Sequence, residues 1–362
     1  MTPRLTLAAI ATLIAVPAMA QEKVVHIYNW SDYIAEDTVK KFEEATGIKV
    51  VYDVYDSNET LEAKLLAGNS GYDVVVPTSQ FMQRQAAAGV YQPLNKDALP
   101  NLVNMDPALM ANATAYDPDN TYGVPYMWGT TGIGYNVAKV KERLGEDAPV
   151  NSWKLVFDPQ YASKLADCGI TMLDSSSDVM PSALAYLGLD PKTSDPDQLT
   201  KAADLLMTVR PYIRKFSSSE YISDLANGEV CVSLGFSGDV FIAAPRAIEV
   251  KNGVEIAYSV PTEGALQWFD MMAIPADAPN PEGALAWINF MMEPEIAAAN
   301  TDFVWYATAN KAALPLINPE ITGDPAIFPP AEVLAKLFPA VVQNARTDRI
   351  VTRLWTTVRT GK

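Results

Sequence analysis

Four short stretches combine the residue types needed to hold an organic cation: Tyr28-Asn29-Trp30-Ser31-Asp32-Tyr33, Phe236-Ser237-Gly238-Asp239-Val240-Phe241, Gln267-Trp268-Phe269-Asp270 and Val304-Trp305-Tyr306. Each sets aromatic rings beside a carboxylate or polar group at the end of an apolar run. Rings can cover a methylene chain and offer an ammonium group cation–π contact worth roughly 0.5–2 kcal/mol each. Carboxylates add charge-assisted hydrogen bonds to the same group. Taken singly, any one stretch also reads as a core edge or a turn. Their recurrence is what points to an alkyl-ammonium ligand.

Catalytic chemistry is poorly provided for. A nucleophile triad needs a tuned base, and the one histidine, His26, lies in the middle of an apolar strand pattern. Gly132-Ile133-Gly134 lacks the preceding strand and following helix of a dinucleotide fingerprint, and no P-loop is present. Two cysteines and one histidine do not build a usual zinc site. No cofactor or metal is therefore expected. The 43 acidic residues are compatible with a paired-carboxylate hydrolase, but no pair stands out. A formal net charge of −16 argues against nucleic acid as a partner, since phosphate binding needs clustered Lys and Arg.

The elements that would position these residues follow a β-α-β-α-β order at the start. Val24 to Tyr28 reads as a buried strand and Ala35 to Thr46 as a helix stopped by Gly47. Ile48 to Val54 is the next strand. Asp56 or Ser57 caps a helix carrying Leu61, Leu65 and Leu66, and Asp73 to Val76 is a third strand. This order predicts a parallel sheet with right-handed crossovers. Ligands of such sheets sit beyond the carboxyl ends of the strands, where Asn29 to Tyr33, Tyr55-Asp56 and Thr78-Ser79 fall.

Tyr122 to Tyr135 reads as an extended segment able to cross between lobes. A second α/β run follows, with strands over 168–173 and 229–234 and helices over 181–186, 202–209 and 219–227; the strands over 256–260 and 269–274 read as able to return to the first lobe. Pro281 to Met292 is an apolar helix, and the tail from Pro330 onward reads as helical with a basic end. The fold class is α/β with two interleaved lobes, 21–130 plus 257–303 and 131–256 plus 304–362. At 362 residues the chain is long enough for both.

Residues 1–20 read as a cleaved signal peptide: Arg4, an apolar run from Leu5 to Val16, and the Ala18-Met19-Ala20 cleavage pattern. The mature chain is expected to start at Gln21, free in the periplasm. In that oxidising compartment Cys168 and Cys231 most simply form one disulfide, the alternative being two buried thiols. Closing a loop of roughly 64 residues would contribute roughly 4 kcal/mol in the chain-entropy picture.

Residues 26–34, His-Ile-Tyr-Asn-Trp-Ser-Asp-Tyr-Ile, followed by Gly47-Ile48-Lys49-Val50, strongly resemble the N-terminal segment of bacterial periplasmic polyamine-binding proteins, the receptors of ABC importers. The likeness continues through Tyr126-Met127-Trp128, Thr131 to Asn136, Gly238-Asp239, Phe269-Asp270 and Ala309 to Ala312, and is strongest to the putrescine-receptor branch. It implies a type II solute-binding fold, each lobe a sheet flanked by helices, with the ligand between them. Trp30 and Tyr33 would pack on the ligand chain, with Ser31 and Asp32 at the mouth. Thr78 stands where the putrescine receptors have Ser, and Asp178 where they have a Glu that meets a terminal amine. Asp239 and Asp270 would hold the other amine, Phe236 replaces a wall Trp, and Tyr306 matches the aromatic floor. The resemblance also places a disulfide at Cys168 and Cys231. Trp268 departs toward the spermidine receptors, and Asp178 is one methylene short, so the implied ligand is putrescine or spermidine. A membrane permease is the implied partner and a monomer the default. A hydrolase of the same shape, or a sensor that delivers nothing, remain the competing readings.

Overall fold

The computed structural model describes residues 23–362; the expected signal peptide lies outside them. The chain opens with β1 (Val24–Trp30), β2 (Lys49–Tyr55) and β3 (Val74–Val75), which pair in parallel with β1 in the middle. The crossover helices are Thr38–Thr46 and Asn58–Leu66. Gly47 ends the first at φ 70°, a left-handed conformation that glycine adopts without steric cost. Ser57, not Asp56, caps the second, its side chain accepting from the Thr60 amide at 3.2 Å. Val74 and Val76 join one buried cluster and Val75 another, so the alternation of a strand buries this sheet on both faces.

The extended segment becomes β4 (Gly123–Asn136), at 14 residues long enough to serve two neighbourhoods. Beyond it come β5 (Ile170–Met172), β6 (Ile213–Phe216), β7 (Val232–Phe236), β8 (Ile256–Ser259) and β9 (Leu266–Ala273). Gly123 to Thr131 pairs antiparallel with β9, which in turn meets β3. Thr131 to Asn136 pairs instead with β7 and β8, and β7 continues in parallel through β5 to β6. One path, β2-β1-β3-β9-β4-β7-β5-β6, therefore runs through both lobes, with β4 as the bridge. The second lobe has its own core, including Trp153, Phe157, Leu206, Tyr221 and Leu234. The Cys168–Cys231 disulfide is formed within it, beside β5 and β7.

Two expectations differ from the packing. After the helix Pro294–Val304 the chain does not pass wholly into the second lobe. The short strand β10 (Ala307–Thr308) pairs with Met127 and Trp128 of β4, and Ile317, Ile321 and Ile327 bury in the cluster that holds Tyr55 and Leu61. The last helix, Ala345–Thr360, does pack on the second lobe, through Trp355 and Val358. The tail is also not helical throughout. β11 (Phe338–Pro339) lies parallel to β9, because proline cannot donate within a helix, and Asn344 restarts the helix by accepting from Arg346 and Thr347.

Candidate functional site

Every residue assigned above to a ligand lines a single cavity between the two lobes, together with Tyr55 and Asp56 from the strand-end argument. Its volume is about 130 Å³, room for roughly ten water-sized groups. That suits a small molecule and excludes a folded partner.

Three carboxylates set its chemistry, and each has one neutral hydroxyl on each oxygen. Asp270, at the centre of β9, accepts from Tyr33 Oη and Thr78 Oγ1, both at 2.8 Å. Asp239 accepts from Tyr221 Oη and Tyr306 Oη, both at 2.7 Å. Asp178 accepts from Thr131 Oγ1 at 2.7 Å and Ser175 Oγ at 2.6 Å. Among the described residues none of the three forms an ion pair. Asp270 and Asp178 are buried, and Asp239 is partly open to the cavity. Burial raises Asp270 to about 7, helped by the negative charges of Asp178 and Asp239 and opposed by its two hydroxyls. Burial likewise raises Asp239 to about 6, and it raises Asp178. Carboxylates in this state are short of a cation.

Rings close the rest of the cavity. Trp30 is fixed by its Nε1 donating to the Val76 carbonyl at 2.8 Å and leans on Tyr55 with centroids 4.7 Å apart. Tyr306 meets the edges of Tyr33 at 5.2 Å and Trp268 at 5.3 Å, and Phe236 stands edge-on to Trp268 at 5.7 Å. Two glycines make this possible. A Cβ on Gly238 would lie 2.3 Å from the Tyr306 ring, and one on Gly129 would lie 2.7 Å from that of Trp268. Tyr306 reaches the cavity because Trp305 ends the preceding helix in the left-handed region at φ 57°. Tyr33 does more than pack, since its hydroxyl holds a carboxylate.

The mouth differs in one respect from the expected contact. Asp32, itself left-handed at φ 54°, pairs with Arg246 of the opposite lobe at 3.3 Å. Both side chains are exposed, so the pair ties the rims together weakly. Sequence reasoning missed Arg246, Tyr221 and Gln80. Tyr221 is the least accessible to it, lying inside the second lobe's core while its hydroxyl holds Asp239 and accepts from the Phe236 amide at 2.9 Å. His26 does not line the cavity; its amide donates to Asp73 at 2.8 Å.

Residues 37–329 match the family described as bacterial extracellular solute-binding protein. The putrescine-binding periplasmic protein PotF of Escherichia coli (strain K12) is 53% identical over 95% of this chain and 93% of its own length. A spermidine/putrescine-binding periplasmic protein of the same organism is 34% identical over 85% of this chain and 84% of its own length. Among solved structures, the spermidine/putrescine ABC transporter substrate-binding protein PotD from Streptococcus pneumoniae superposes with a TM-score of 0.77 at 29% identity, covering 94% of this chain and 99% of that one. These relatives are binding proteins of two-lobe architecture, and the match spans most of the chain. The chain belongs to the bacterial extracellular solute-binding protein family.

Proposed function

We propose that this protein is a periplasmic receptor that captures a polyamine, putrescine or spermidine, and delivers it to an ABC importer. The observation that carries the reading is the trio of unpaired carboxylates, Asp178, Asp239 and Asp270, inside a ring-lined cavity. A linear polyammonium ion supplies the missing positive charges, and its methylenes suit Trp30, Phe236, Trp268 and Tyr306. The residues implied by the resemblance thereby take ligand-binding roles, with Ser31 and Asp32 at the rim. The names of the relatives support the same ligand class.

The mechanism involves capture without bond chemistry. Three acids enclosed together repel one another and lose hydration, so closure over an empty cavity is costly. Ammonium groups remove that cost. The closed shape is therefore favoured when ligand is present, and that shape is what a permease would read. The receptor works as a monomer, exported by a signal peptide over residues 1–20.

Calorimetry of Asp239→Ala and Asp270→Ala tests the reading. Each substitution is expected to weaken polyamine binding at least about a hundredfold, since a desolvated charge pair costs roughly 3–5 kcal/mol to break. Undiminished affinity in both would overturn it, and a polyamine chemically altered by the protein would return the hydrolase reading.

A further inference from the structure

Asn58 opens the helix Asn58–Leu66 but does not cap it; Ser57 does, which leaves the Asn58 side chain free for another use. That side chain turns to Thr78 at the start of the next crossover, and both residues line the ligand cavity. The Thr78 amide donates to Asn58 Oδ1 at 3.1 Å, and Asn58 Nδ2 donates to Thr78 Oγ1 at 2.9 Å. A backbone N–H can only donate, so the oxygen of Asn58 must face it and the NH2 must face the hydroxyl. The orientation of the side-chain amide is thereby fixed.

Thr78 departs from the usual habit of its position. It is the N-cap residue of the helix Ser79–Ala87, yet its hydroxyl makes no bond to that helix. A threonine there ordinarily accepts from an amide of its own first turn. Here Oγ1 accepts from Asn58, and its one proton goes to Asp270 Oδ1 at 2.8 Å. The bonds therefore run in one direction, from Asn58 through Thr78 to Asp270. Asp239 is served alike by main-chain donors. The Phe236 amide donates to Tyr221 Oη at 2.9 Å and the Asp239 amide to Tyr306 Oη at 3.1 Å, and both hydroxyls donate onward to the Asp239 carboxylate.

The other groups around Asp270 do not substitute for this contact. Tyr33 already donates to Oδ2, and the Tyr55 and Tyr126 hydroxyls are spent on the carbonyls of Val76 and Tyr33. Asp178 and Asp239 add only negative charge, while Arg246 pairs with Asp32 and acts on Asp239.

We propose that Asn58 is a positioning residue of the ligand site: by occupying a lone pair of the Thr78 hydroxyl, it holds that hydroxyl as a donor to Asp270 and so readies the carboxylate for an ammonium group. The ammonium group rests on the polyamine reading; the direction of the hydroxyl does not. Without Asn58 the hydroxyl is free to rotate away from Asp270.

A double-mutant cycle tests the role. The ligand-free protein is titrated by carboxyl-carbon NMR as wild type, Asn58→Ala, Thr78→Val and both together, with Asp270→Asn assigning the signal. Asn58→Ala is expected to move the Asp270 midpoint upward from about 7 by roughly 0.7 of a pH unit, as the loss of one ordinary hydrogen bond predicts. Putrescine affinity, measured by calorimetry, then falls about fivefold at about pH 6 and stays near wild type at about pH 8.5, where Asp270 is ionised in both proteins. In the Thr78→Val background Asn58→Ala should change neither quantity. An unmoved midpoint in Asn58→Ala overturns the proposal. So does an equal change in both backgrounds, which would mark Asn58 as a structural tie through the Thr78 amide. Wild type that binds no polyamine overturns the polyamine reading, while the titration of the free protein still decides the role of Asn58.

Discussion

Acidification should release the ligand, and the structure sets the size of the effect. In the free cavity Asp270 titrates at about 7 and Asp239 at about 6, both raised chiefly by burial. A bound diammonium ion requires both carboxylates ionised, while its own amines, near the lysine value, stay charged throughout. At about pH 8 the ionisation costs almost nothing. At about pH 5 it costs a factor of roughly 100 for Asp270 and roughly 10 for Asp239, or on the order of 4 kcal/mol together. Asp239 is itself one cause of the Asp270 shift, so protonating one eases the other. The observable loss is then about 100- to 1000-fold. Calorimetry across that range, repeated in buffers of different ionisation enthalpy, measures both the affinity and the protons released.

The free protein should respond in the opposite sense. Both folded-state values lie above the ordinary carboxylate value, so the stability these groups contribute is fully present below about pH 4 and is lost as the pH rises through about 6 and about 7. As far as these two groups decide it, the melting temperature of the free protein falls between about pH 5 and about pH 8. The gain from saturating polyamine grows over the same interval. Affinity that stays flat from about pH 8 to about pH 5, with no proton released, would refute the reasoning, because the acids would then be ionised before the ligand arrives or would not face it.

Three further outcomes follow from the geometry. Tyr221→Phe removes one of the two hydroxyls on Asp239 and the acceptor of the Phe236 amide, and should weaken polyamine binding roughly tenfold at about 1–1.5 kcal/mol, with circular dichroism unchanged. Gly238→Ala places a methyl group against the Tyr306 ring; overpacking of about 1–3 kcal/mol should displace that ring from Asp239, lowering affinity and shifting the intrinsic fluorescence, and wild-type affinity would show that the ring is free to move. Replacing Cys168 and Cys231 together by Ser should cost up to roughly 4 kcal/mol of unfolding free energy, seen as a lower denaturant midpoint, while leaving affinity intact, because the bond lies in the second lobe's core and not on the cavity wall.

What the sequence made legible divides along physical lines. The first sheet was readable because strand alternation, Gly47 and Ser57 are local signals, and the residues beyond the ends of β1 and β2 fell where a parallel sheet puts them. The tail was not, since its path depends on Ile317 and Ile321 finding the first lobe's core, a partner more than two hundred residues distant in sequence from Leu61. The helix carrying Asp178 begins at Ser176, ahead of the expected start at Pro181, because a proline in the second turn forfeits only one early hydrogen bond. Tyr221 and Gln80 carried no local signal at all. Tyr221 meets Asp239 and Phe236 only once the second lobe has folded, and Gln80 reaches the cavity wall only through the tertiary fold.

That geometry also explains why the cavity takes cations when its backbone alone would favour anions. The helices starting at Ser79, Ser176 and Ser237 all contribute first-turn residues to its wall, namely Gln80, Asp178 and Asp239. Helix N-termini carry partial positive charge and exposed amides, so such a convergence ordinarily holds an anionic group. Here two of the three first turns present carboxylates of their own, and Asp270 adds a third from β9. The helix ends favour those charges and so oppose part of the burial cost that pushes the acids toward protonation. The sign of the ligand is thus set by a few side chains laid over a scaffold of opposite polarity, while the rings around them select for a slender alkyl chain.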